Sequence, residues 1–314
     1  MGELHDVKLV GPSTIGITHY LAASEATIRD LLRRILSPRL FQFVRFRWWC
    51  LSFYFPRLVT SWFVKNTPEV RGFDGGCDES HLVKQLRTVN TLAPTKMCRV
   101  MTKHGSDKGH GSHNYTTVYS ALFKGCHDRP LRIFELGLGT NNPGLASNVG
   151  VYALPGASLR GWRELFPHAL VYGADIDRDI LFQEDRIRTF YCDQLDQAAI
   201  RQLWSQPDLQ GGMDIIIEDG LHSIEASCSF LDGSLEQLRP GGVYVVEDIS
   251  QNLVDDWYDQ LELIYSKRYP NYEFAFALLP NSTNPFYNNL LIIRRDGGDE
   301  RRPVQVHELS DHQS

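Results

Sequence analysis

Two short stretches concentrate the groups able to hold a cation or move a proton: Glu218-Asp219-Gly220-Leu221-His222 and Glu247-Asp248, each at the end of an apolar run. Carboxylates gathered in one place repel one another, and a divalent cation relieves that repulsion. Magnesium in particular favours oxygen ligands and leaves room for water or substrate. A neutral imidazole three residues beyond Asp219 could accept a hydroxyl proton near pH 7, which gives His222 a chemical use. Alternation along a strand points Glu218 away from Asp219, toward a helix or an ion pair. His104, His110 and His113 are poorly spaced for a metal cluster and read as part of a solvated polar loop.

Three further stretches suit a bound nucleoside. Glu135-Leu136-Gly137-Leu138-Gly139-Thr140 is a glycine turn that lets backbone pass close to a ligand. It is neither a phosphate loop of the G-x-x-x-x-G-K-[ST] type nor a complete dinucleotide fingerprint. Asp175 and Asp177 can accept hydrogen bonds from ribose hydroxyls. Cys192-Asp193-Gln194 supplies polar groups for an adenine amino group.

These residues need a frame that brings them together. From Leu131 onward, strand-like and helix-like runs alternate: LRIFELG, SLRGWRELF, ALVYGADI, IRTFYCD, QAAIRQLWSQ, MDIIIED, SIEASCSFLDGSLEQL, GVYVVED and LVDDWYDQLELIYSKR. That alternation predicts an α/β domain with a mostly parallel sheet. Ser158 is placed to cap the first of these helices, and RPGG at 239–242 reads as a helix stop. EFAFALLP and LLIIRR, joined by NSTNPFYNN, predict a final hairpin whose last strand runs antiparallel to the rest. Ligands of such sheets sit beyond the carboxyl ends of the strands, where every candidate residue named above falls.

The stretches FELGLGT, PGASLRGW, FPHALVYGADI, CDQ, DIIIEDGLHS and LRPGGVYVVEDI, with SDKG and HNYT upstream, resemble the class I S-adenosylmethionine-dependent methyltransferases. Within them they are most similar to the metal-dependent macrolide-sugar O-methyltransferases of the mycinamicin and demethylmacrocin type. The resemblance covers about residues 131–295. It implies a Rossmann-like methyltransferase fold, S-adenosyl-L-methionine as cofactor, and Mg2+ or another divalent cation held by Asp219, Glu247 and Asp248. It further implies His222 as the base, and a cofactor site drawn from Glu135, Gly137, Gly139, Thr140, Ser158, Asp175, Asp177, Asp193 and Gln194. The polar segment at 103–116 becomes a lid that excludes water, with Lys108 and Tyr115 as contacts. The acceptor would be a hydroxyl of a sugar or glycosylated small molecule. A catechol-type enzyme would share the metal logic, but commonly has lysine where His222 stands. A non-catalytic protein that keeps the fold is the rival from another class.

The chain has 314 residues, 42% hydrophobic and 22% charged, with a formal charge of −6. Such a balance argues against a nucleic-acid-coating protein and against disorder. Six scattered cysteines without a C-x-x-C pair predict reduced thiols, and hence a cytoplasmic protein. No secretory signal, myristoylation motif or bilayer-spanning run is expected. The expected division is a mainly helical, basic-aromatic region at 1–95, the lid and a helix at 96–130, the methyltransferase domain at 131–296, and a disordered tail at 297–314. Residues 26–65 interleave arginines with aromatics, a pattern that suits a packed flap, a homo-oligomer contact or a peripheral membrane contact.

Overall fold

The computed structural model describes residues 68–72, 80–109, 112–150, 153–279 and 287–297. The basic-aromatic segment at 26–65, residues 280–286 of the expected hairpin connection and nearly all of the tail lie outside them. The chain divides into units 1–62 and 63–314, and all described residues belong to the second.

Among the described residues nine strands form one sheet: β1 (Glu69–Gly72), β2 (Arg132–Leu136), β3 (Leu170–Asp175), β4 (Gln183–Glu184), β5 (Ile187–Tyr191), β6 (Met213–Glu218), β7 (Leu238–Ser250), β8 (Tyr272–Leu278) and β9 (Tyr287–Arg295). Their order is β1-β8-β9-β7-β6-β2-β3-β5-β4. Strands β5, β3, β2, β6 and β7 run parallel, whereas β9 runs antiparallel to both β7 and β8. A parallel sheet closed by an antiparallel last strand is the Rossmann-like methyltransferase arrangement. The chain leaves β2 toward β3 on one side and later returns to β6 on the other, so a crevice opens above β2.

Both faces of the central strands are apolar because both are covered. Ile215 and Ile217 of β6 pack on one face with Val171, Val245 and Trp162. Ile216 packs on the other with Phe134, Tyr244 and Phe230. Burying one such side chain is worth about 1.5–3 kcal/mol before entropy is subtracted.

The helices that matter for the site are α1 (His81–Arg87), α2 (Lys96–His104), α3 (Tyr115–Leu122) and α4 (Ala157–Leu165). Ser80 caps α1, and Thr95 caps α2 through the Cys98 amide. The division expected at residue 95 does not mark the edge of this unit. Strand β1 pairs with β8, and Leu82 and Leu86 of α1 are fully buried. An amphipathic helix with that apolar face needs the sheet's outer half to cover it.

Two local expectations change. Helix α4 begins after Gly156 with no side-chain cap, because Ser158 turns its hydroxyl to Glu135 instead. Residues 239–242 do follow the helical run, which ends at Gln237, but they already belong to β7, which pairs with β6 from Leu238 onward across an irregularity.

Candidate active site

A cavity of about 580 Å³ opens at the carboxyl ends of β2, β3, β5, β6 and β7. On one side its wall is formed by Gly137, Leu138 and Gly139 after β2, Asp175 at the end of β3 with Ile176 after it, and Asp193 and Gln194 after β5. Gly137 has φ +90°, and a Cβ there would stand 1.9 Å from the backbone oxygen of Asp219. Only glycine permits that crossing of two strand-end turns. Asp175 secures the turn by accepting from the amides of Leu138 at 2.7 Å and Asp177 at 2.8 Å. Burial raises its carboxyl above the usual range despite those bonds.

Other residues expected at the cofactor support the wall from behind. Asp177 accepts from the Thr140 hydroxyl and from the Asp179 amide, and neither Asp177 nor Thr140 reaches the cavity. Glu135 is buried and accepts from the Ser158 hydroxyl at 2.5 Å and the Trp162 indole at 2.6 Å. Glu135 and Ser158 are therefore joined to each other and not to the cavity. Gln194 does reach the cavity, but its amide oxygen accepts from Leu221 N and its amide nitrogen donates to Glu218. Glu218 faces away from Asp219, as strand alternation implies.

The opposite wall is charged. The segment expected to be a solvated lid turns inward after Gly105, and Lys108 is only 2% exposed. Its ammonium meets Asp219, Glu247 at 2.5 Å and Glu135 at 3.4 Å. Burial alone would lower the Lys108 pKa, but Asp219, Glu135 and Glu247 raise it well above the ordinary value. Burial likewise opposes ionisation of Asp219, yet Lys108 and His222 hold its carboxyl well below the usual range.

Glu247 departs from the expected ligand set. One oxygen accepts from Lys108 and the other from the Tyr119 hydroxyl, so the side chain is turned out of the cavity. Asp248 faces in: it accepts from Tyr115 Oη at 2.5 Å, lies 3.2 Å from His113 Nδ1 and 3.5 Å from His222 Nδ1. Tyr115 thus contacts a candidate metal ligand and not the cavity. His222 Nε2 lies 3.1 Å from Asp219 Oδ1. Burial lowers the imidazole pKa, but the Asp219 bond and the charges of Asp248, Asp219 and Glu218 push it up to about 9. Asp248 and His222 both have left-handed backbone, with φ +55° and +58°. Such conformations persist where surrounding structure over-determines them.

Asp219, His222 and Asp248 each offer a ligand atom within 4.8 Å of the others. The donor set suits a hard divalent cation: two carboxylates face the cavity, and burial and the nearby Asp219 charge push the Asp248 carboxyl up, a repulsion that a cation would relieve. Sequence reasoning missed His113 and Tyr119. His113 is 9% exposed and stacks on Tyr115, far from a solvated loop residue. The signal for Tyr119 was its spacing of four from Tyr115, which puts both hydroxyls on one helix face. His104 pairs with Glu164 at the surface, and His110 lies outside the described residues.

No family model matches the chain. It is 37% identical over 147 residues to the 8-demethyl-8-alpha-L-rhamnosyl tetracenomycin-C 2'-O-methyltransferase of Streptomyces olivaceus, covering 47% of this chain and 36% of that one. It is 32% identical over 140 residues to the mycinamicin VI 2''-O-methyltransferase of Micromonospora griseorubida, covering 44% and 32%. The demethylmacrocin O-methyltransferase of Streptomyces fradiae matches at 29% over 183 residues, covering 56% and 43%. The chain thus spans less than half the length of these curated relatives. Among solved structures, the mycinamycin-pathway methyltransferase MycE with Mg and SAH superposes with a TM-score of 0.49 at 22% identity, covering 68% of this chain and 58% of that one. The chain is a relative, over nearly half its length, of O-methyltransferases named for glycosylated acceptors, and its sheet is that of the class I methyltransferases.

Proposed function

We propose that this protein transfers a methyl group from S-adenosyl-L-methionine to a hydroxyl of a sugar or glycosylated small molecule, assisted by a divalent cation. The observation that carries this reading is the junction of a glycine-lined cavity with Asp219, His222 and Asp248 on one wall. The named activities of the sequence relatives support it. Asp219 and Asp248 would hold the cation, with His222 beside them. A bound divalent cation supplies Lewis acidity that makes an adjacent hydroxyl easier to ionise.

The chain's own residues do the rest. Gly137 and Gly139 admit the cofactor's backbone-hugging portion, and Asp175 holds their turn in place. His222 is oriented through Nε2 by Asp219, while its Nδ1 contact to Asp248 is the longer at 3.5 Å. Nδ1 is free to take the hydroxyl proton once the charge of a bound cation offsets the carboxylates that hold the imidazole at about 9. Lys108 keeps Asp219 ionised, and Tyr115 and His113 fix the Asp248 carboxylate. No helix among the described residues is long and apolar enough to cross a membrane.

The test is methyl transfer by the full chain to an O-rhamnosylated aromatic polyketide and to its aglycone, with magnesium or with chelator. Transfer to the glycoside alone, lost in chelator, is the expected result. Transfer to the aglycone, or full activity in chelator, would overturn it.

A further inference from the structure

Gln194 follows β5 and Glu218 ends β6, and β2 and β3 lie between those strands in the sheet. Their side chains nevertheless meet, across the crevice where the two halves of the sheet part. Gln194 Nε2 donates to Glu218 Oε1 at 3.0 Å, and Gln194 Oε1 accepts from Leu221 N at 2.8 Å. Glu218 Oε1 also accepts from Gly220 N at 3.2 Å. Both side chains are buried, Glu218 at 1% and Gln194 at 8% exposure. The packing is close enough that a Cβ on Gly220 would stand 2.0 Å from Gln194 Oε1.

We infer that Gln194 is a positioning residue: with Glu218 it braces the turn at 219–222 that presents Asp219 and His222, and it does not read the cofactor's base. The inference rests on the proposed function for its catalytic consequence. Its physical basis is independent. The turn has two amides, at Gly220 and Leu221, that β6 cannot satisfy, and the brace satisfies both. His222 comes next, held at φ +58°, a conformation that a loose turn would relax. A glutamine reading an adenine edge needs its amide free, whereas here the oxygen and one amide hydrogen are already committed to the turn.

Three measurements on the full chain test this. The first is hydrogen–deuterium exchange of the 218–224 peptide, which needs no ligand. Gln194→Met should speed exchange about tenfold or more, with the thermal transition still cooperative; unchanged exchange overturns the brace. The second is calorimetry with S-adenosylhomocysteine and with Mn2+. Gln194→Met should leave the former's affinity within about threefold and weaken Mn2+ about 10–100-fold, the range seen when partners of ligating groups are removed. A tenfold loss of S-adenosylhomocysteine affinity with Mn2+ unchanged would make Gln194 a base reader and overturn the inference. The third is rescue. Glu218→Gln keeps an oxygen to accept from both donors and should retain Mn2+ affinity, whereas Glu218→Leu should reproduce Gln194→Met. Equal effects of the two Glu218 variants would overturn the hydrogen-bond account. If the unsubstituted chain bound neither probe, the proposed function would fail while exchange still decided the brace.

Discussion

The two walls of the cavity are built on opposite physical plans. The wall above β2, β3 and β5 is shaped by absence: Gly137 and Gly139 remove side chains, and the Asp175 carboxylate holds their turn. The wall above β6 and β7 is shaped by charge, with Asp219 and Glu247 on the buried Lys108 ammonium and Asp248 beside His113 and His222. The first plan tolerates exchange of outlying residues, because backbone does the work. The second does not, because each buried charge depends on the next for its ionisation. The walls meet where Gly137 crosses the carbonyl of Asp219 and again where Gln194 bonds Glu218 and Leu221.

The largest effect should come from the charged wall. Lys108→Met removes the cation shared by three carboxylates, and loss of one partner from a buried ionic cluster costs about 3–5 kcal/mol. Urea unfolding of the two proteins at neutral pH measures it. A cost below about 1 kcal/mol would show that the wall is solvated and the contrast false.

His222→Ala should lower turnover about 10²–10⁴-fold at saturating magnesium, the usual range for a positioned proton acceptor. Affinity for S-adenosylhomocysteine should stay within a few-fold, since the opposite wall is untouched. Steady-state rates on a glycosylated acceptor, with calorimetry alongside, separate these effects. Parallel loss of rate and cofactor affinity would mean that the two walls are not independent.

Substituting the glycines sharpens the comparison at the junction. Gly137→Ala should destabilise by about 2–3 kcal/mol, combining left-handed backbone with a clash against Asp219, and should impair both walls. Gly139→Ala meets only the Val149 side chain at 3.5 Å, so its cost should be about 1–2 kcal/mol of backbone strain. Thermal melts rank the two.

The smallest effect concerns the scaffold behind the glycine wall. Hydrogen bonds from Arg160 outweigh slight burial and, with Arg163, hold the Glu184 carboxyl below its usual value. A depressed carboxylate stabilises above its unfolded pKa, about 4.3, and loses that contribution as pH falls through the lower folded value. For a partly exposed pair this is about 0–1 kcal/mol. Comparing Glu184→Gln with the parent at pH 7 and pH 3 should show a small difference that disappears in acid. A difference that grows in acid would contradict it.

Much of the sheet was legible because its strands are short apolar runs between glycines and capped helices. The strand ends of the cavity were legible for the same reason. The division of labour among the acids was not. Alternation fails at Asp248, where β7 shifts register against β9 between Val246 and Ile249 and the backbone turns left-handed. That turn sends Glu247 to Lys108 and Tyr119, and Asp248 to the cavity. Lys108 and His113 looked like members of a polar loop because Asp219 and Asp248, which they meet at the site, lie more than a hundred residues away in sequence. No local pattern announces an ion pair of that span. Residues 261–265 form a π-helical turn inside a run whose periodicity reads as one helix.

The central claim is that one wall binds the cofactor and the other binds a divalent cation. Calorimetric titration of the full chain with S-adenosylhomocysteine and then with Mg2+, repeated on Asp219→Asn and Asp248→Asn, tests it most directly. The account predicts that the unsubstituted chain binds both and that either substitution weakens Mg2+ at least about tenfold. Affinity for S-adenosylhomocysteine should then stay within about threefold, since charge on the far wall is not what holds it. Magnesium binding that survives both substitutions, or cofactor binding that is lost with either, would contradict it.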